Sequence, residues 1–81
     1  MSIPKVSIEQ VKAARALLRW SQNDLAAASG VSTATIKRLE AKTGEFGGRT
    51  ETASAIRSTL EKAGVQFIPE NGGGAGVRMK N

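Results

Sequence analysis

The chain has 81 residues, with 12 Lys and Arg against 7 Asp and Glu, a formal charge of +5, and neither cysteine nor histidine. That length gives one small domain with a modest core, for which self-association is a common source of added stability. The missing residue types exclude disulfides, the usual zinc sites, thiol nucleophiles and Ser-His-Asp chemistry, so neither metal nor cofactor is expected. The positive excess suits a polyanionic partner. No segment approaches the ~20 apolar residues of a membrane span, and MSIPKVSIEQ has no apolar run of the signal-peptide kind. A cytoplasmic protein is the expectation.

The first helix begins at Ser7, with Gln10 three residues on in the arrangement of a capping box. Ile8, Val11, Ala14 and Leu18 recur every three or four residues as a buried stripe, with Leu17 beside it, and the helix ends near Trp20. Ser21 caps a second helix, with Asp24 at the reciprocal position and its charge at the positive helix end. Ser32 caps a third helix, which runs to about Ala41 or Lys42. Thr43 to Arg49, TGEFGGR, hold three glycines and no periodicity and read as a loop. Thr50 caps a fourth helix whose apolar face is Ala53, Ile56, Leu60 and Ala63, with Gly64 just past its end. Val65 to Ile68 is β-branched and aromatic, Pro69 stops it, and a Gly-rich stretch leads to Val77, Arg78 and Met79. These two segments read as a β-hairpin.

One segment reads as a single physical object. In Ser21 to Leu39, SQNDLAAASGVSTATIKRL, counting from Gln22, the apolar residues fall at Leu25, Val31, Ile36 and Leu39, with Ala26 fifth and Gly30 ninth. This is the spacing of a helix-turn-helix, whose second helix can lie in the major groove of DNA. Ala26 is small because the helices cross closely there. Gly30 supplies the positive φ with which the chain leaves the first of the pair.

The stretch RALLRWSQNDLAAASGVSTATIKRLE, Arg15 to Glu40, resembles the helix-turn-helix domains of the lambdoid phage repressor and Cro family of bacterial and phage regulators. The Ser-Gln opening, the Leu-Ala pair, the Gly-Val turn and the Ile-Lys-Arg-Leu-Glu close all stand here. Members fold as compact helical bundles and bind operator DNA as dimers. The resemblance implies that Gln22 bonds a DNA phosphate and braces the start of the recognition helix. It also implies that Thr33, Ala34, Lys37 and Arg38 face the major groove, and that Arg15 and Glu40 form a buried ion pair joining the first helix to the third. After Gly64 the chain departs from the family, a strand-like tail replacing the usual last helix.

The residue types suit these tasks. Thr33, Ala34, Lys37 and Arg38 share a face at the N-terminal turns of a helix. Arg38 can fork onto guanine O6 and N7, and Lys37 can do so less rigidly or reach a phosphate. Thr33 offers a hydroxyl and a methyl, and Ala34 permits close approach or packing on a thymine methyl. Ser21, Gln22, Thr35, Lys42, Thr43 and Arg49 are candidates for phosphate contacts, which position a protein without reading sequence. Trp20, at a helix junction, reads as packing rather than base stacking. The Gly-rich segments GEFGGRT and GGGAG lack the spacing and context of nucleotide-binding loops. The carboxylates are scattered, so no enzyme is expected.

Together these readings give a mainly α fold: a four-helix repressor-like bundle containing a helix-turn-helix at residues 1–64, with a short C-terminal β-hairpin at 65–81. An isolated two-stranded hairpin is marginal in water, and pairing with a second subunit would support it and cover its edges. Val65, Phe67, Ile68, Val77 and Met79 are the expected dimer contacts. The expected function is that of a homodimeric, sequence-specific binder of double-stranded DNA, most simply a repressor on a palindromic operator. The alternative is an antitoxin-type module whose tail adds strands to a protein partner, with DNA binding secondary.

Overall fold

A computed structural model of the chain describes residues 6–42, 50–69 and 72–80. Its elements in chain order are α1 (Ile8–Leu18), α2 (Gln22–Ser29), α3 (Thr33–Glu40), α4 (Thr50–Lys62), β1 (Val65–Ile68) and β2 (Gly76–Met79). The architecture is mainly helical, closed at its C-terminal end by a two-stranded antiparallel hairpin. No helix among the described residues is long and apolar enough to cross a membrane.

Local chemistry sets most of the helix ends. Ser7 Oγ accepts from Gln10 N while Gln10 Oε1 accepts from Ser7 N, closing a capping box on α1. Ser21 and Asp24 repeat the arrangement on α2. Ser32 caps α3 through Thr35 N. α2 ends at Gly30, with φ 78° and nothing within 4 Å of the position a Cβ would take. Glycine is therefore required there by backbone conformation and not by crowding. α1 ends differently: Arg19 takes the left-handed conformation with φ 58°, and its N–H bonds back to Ala16 O.

The core gathers Val11 and Ala14 of α1, Leu25 of α2, Ile36 and Leu39 of α3, Ile56 and Leu60 of α4, and Val65 and Phe67 of β1. Trp20, Ala26 and Val31 pack against it partly buried, the tryptophan as a packing residue at the α1–α2 junction. Leu17 does not join the stripe and stands 45% exposed. Consecutive helical residues are separated by about 100°, and Leu18, one step on, takes the inward position.

The hairpin is paired within the chain, in the register Val65↔Met79, Gln66↔Arg78, Phe67↔Val77 and Ile68↔Gly76. It is seated on α1 and α4. Val65 and Phe67 enter the helical core, and the Arg57 guanidinium lies 5.8 Å from the centre of the Phe67 ring. At the loop end, the Gln10 side-chain amide donates to Ile68 O at 3.2 Å and to Gly76 O at 2.9 Å. One buried side chain thus caps its own helix with its oxygen and ties both strands to that helix with its nitrogen.

Candidate nucleic-acid interface

α3 divides cleanly around its axis. Ile36, Leu39 and Glu40 are buried and occupy an arc of about 100°. Thr33, Ala34, Lys37 and Arg38 fill the opposite side, over an arc of about 140°. Ala34, Lys37 and Arg38 are exposed and Thr33 is half-buried at the helix start. The Ser32 cap and the Gly30 turn aim this face away from the core. It carries two cations, one hydroxyl and two methyls, with no carboxylate among them.

Behind that face sits a polar hub centred on Glu40, which is 3% exposed. Arg15 of α1 forks onto it, Nε to Oε2 at 2.8 Å and Nη2 to Oε1 at 2.6 Å. The third guanidinium nitrogen, Nη1, donates to Trp20 O at 2.9 Å and so fixes the connection into α2. Gln22 of α2 adds a fourth bond, Nε2 to Glu40 Oε1 at 3.1 Å. Burial pushes the Glu40 carboxyl up, but the hydrogen bonds from Arg15 and Gln22 and the charges of Arg15 and Lys12 outweigh it. The carboxyl is held below its ordinary value. Its partner Arg15 is raised by the hydrogen bonds it donates to Glu40 and, further down, by the charge of Glu40, against a smaller effect of burial.

Gln22 therefore braces the last residue of α3, not its start. A buried carboxylate needs hydrogen-bond donors, and Gln22 supplies one beside the Arg15 fork. The start of α3 has a different partner: Thr33 Oγ1 donates to Asn23 Oδ1 at 3.1 Å. Sequence reasoning missed Asn23, because an exposed asparagine in a first helical turn carries no signal of a contact ten residues on.

The remaining candidates are placed as follows. Ser21 is exposed at the α2 N-terminus, its hydroxyl accepting from Asp24 N. Thr35 Oγ1 accepts from Ser32 Oγ at 2.8 Å, which makes it part of the α3 cap. Lys42 is exposed just beyond α3. Thr43 and Arg49 lie outside the described residues. In the tail, Val65 and Phe67 are inside the chain's own core, Ile68 and Val77 are half-buried, and Met79 is 37% exposed. The register puts Val77 and Met79 on the face that Phe67 and Val65 turn to the core, with Val77 packed against that core, and Ile68 on the opposite face.

Two capped helices packed against one another, a glycine turn between them and an outward basic face define a helix-turn-helix protein. The family model for Helix-turn-helix matches residues 11–50. The chain belongs to this family, the Cro and lambda repressor-type DNA-binding transcription regulators. No curated protein sequence matches it.

Proposed function

We propose that the protein is a homodimeric repressor that reads a palindromic operator, with α3 of each subunit in the major groove of one half-site. The observation that carries this is the division of α3. Its apolar and acidic residues are spent on the core, while Ala34, Lys37 and Arg38 remain exposed beside Thr33. In this reading Arg38 forks onto a guanine, Lys37 reads a base or reaches phosphate, and Thr33 and Ala34 meet base edges or a thymine methyl. Ser21, Gln22, Thr35 and Lys42, with Thr43 and Arg49 beyond the described residues, hold the phosphate backbone.

Residues 1–64 act as the DNA-binding part and 65–81 as the dimerisation element, the contact made through Ile68 on the outer face of the hairpin and the exposed Met79. The size of the protomer supports a pair: it measures 34 × 27 × 24 Å. The centres of two touching protomers are then about one protomer width apart, which leaves room for two recognition helices at half-sites one DNA turn apart, ~34–36 Å. Occupying promoter DNA would suffice for repression.

The test is selection of bound sequences from a random double-stranded DNA library at physiological salt. A two-fold-symmetric motif with half-sites near one turn apart is expected, and Arg38→Ala should flatten base preference at one position per half-site. Binding without enrichment of any sequence would refute the reading. So would uniform loss of affinity in Arg38→Ala, for the base-reading role of that residue.

A further inference from the structure

Thr33 leads the outward face of α3, and its hydroxyl is committed. A threonine hydroxyl has one hydrogen and two lone pairs; the hydrogen goes to Asn23 Oδ1 at 3.1 Å. What Thr33 can then offer an incoming base is an acceptor and a methyl group, not a donor. Asn23 is exposed, two residues into the capped start of α2, and its Nδ2 makes no hydrogen bond among the described residues.

We propose that Asn23 is a specificity-determining positioning residue. By accepting the Thr33 hydrogen it presents Thr33 as an acceptor, so the base opposite Thr33 is one that shows an amino donor in the major groove, adenine N6 or cytosine N4. The asparagine amide, its oxygen occupied, keeps two N–H groups that can donate to the flanking phosphate. The inference rests on the DNA-reading role of α3 proposed above, and assigns the chemical class of base at one position of each half-site.

The experiment is the same random-library selection run on wild type, Thr33→Ala, Asn23→Ala and Asn23→Asp. Thr33→Ala identifies the position that Thr33 reads. At that position wild type should prefer adenine or cytosine by about five- to tenfold, within the span of single base contacts. Asn23→Ala, on the exposed surface, should lose the preference at that same position and leave the rest of the motif intact. Asn23→Asp can only accept, so it should keep the preference while its charge weakens binding to all sequences. Failure of wild type to enrich any motif would overturn the DNA-reading role and this inference together. A wild-type motif that Asn23→Ala retains unchanged, or a preference for guanine or thymine at the Thr33 position, would overturn this inference alone.

Discussion

Arg15→Ala removes both bonds to Glu40 and the bond to Trp20 O. Glu40 stays where it was, 3% exposed, with Gln22 Nε2 its remaining side-chain hydrogen-bond donor and only the weaker influence of the Lys12 charge beside it. Breaking one side of a buried pair costs roughly 3–5 kcal/mol. Arg15 is itself 18% exposed, so water can enter where its side chain is cut away, and a loss near ~3 kcal/mol is expected. A domain of this length is stable by roughly 4–12 kcal/mol, so much of the total goes. In urea, with a slope of ~1 kcal/mol per molar for a small protein, the midpoint should fall by ~3 M. Acid titration separates the charge effect from lost packing. In the native chain the Glu40 carboxyl is held below its ordinary 4.5. Its stabilisation is complete above the unfolded value and lost as pH falls through the lower folded one. In Arg15→Ala the effect of burial is left largely unopposed and the folded pKa rises, so the carboxylate destabilises the fold at neutral pH and ceases to do so once protonated. The stability gap between the two proteins should therefore narrow between about pH 7 and pH 4. A gap below ~1 kcal/mol at neutral pH, or one that stays constant on acidification, would refute the buried-pair account.

Two further outcomes follow from backbone contacts. Gln10→Ala removes the amide that ties Ile68 O and Gly76 O to α1, leaving carbonyls short of a donor at a cost of roughly 1–3 kcal/mol. Hydrogen exchange should show the β1 and β2 amides losing protection ahead of those of α4, and an equal change throughout would argue against a local clamp. Arg19→Gly relieves a left-handed residue at φ 58°, a conformation that costs ~1–2 kcal/mol for a residue with a Cβ. Part of that gain is offset by the freedom glycine adds to the unfolded chain, leaving a net gain of ~0.5–1 kcal/mol, or roughly 2–8 °C in Tm. An unchanged or lower Tm would show that the turn does not strain Arg19.

The features legible in the sequence are those with short-range causes. Ser7 with Gln10, Ser21 with Asp24 and Ser32 with Thr35 act within one helical turn, so residue type and spacing define the helix starts before any tertiary contact exists. Gly30 is legible for the same reason, since its positive φ is a demand of the backbone at that point. The hairpin was readable from Val65 to Ile68 and Val77 to Met79, but not that Val65 and Phe67 would complete the helical core. Which face of a four-residue strand turns inward depends on what it is laid against. Gln10, Asn23 and Arg19 were out of reach for a related reason. The nitrogen of Gln10 finds its acceptors 58 and 66 residues away, and the left-handed Arg19 depends on the direction in which α2 must leave α1.

The structure also separates two uses of positive charge that composition cannot tell apart. Arg15 lies behind α3 and is consumed by Glu40, while Lys37 and Arg38 lie in front of it, exposed. Three helices meet at the single carboxylate of Glu40: α1 through Arg15, α2 through Gln22, and α3 as its owner. The hub holds the far end of α3 against α1 and α2 without drawing on any residue of the outward face. Along the near end, among the described residues, the Asn23–Thr33 bond is the one side-chain hydrogen bond that crosses between α2 and that face. Surface substitutions away from such buried features usually change stability by no more than ~0.5 kcal/mol. The outward positions 34, 37 and 38 can accordingly be exchanged with little effect on folding, whereas loss of Arg15 or Glu40 removes the bonds that hold α3 to α1 and α2.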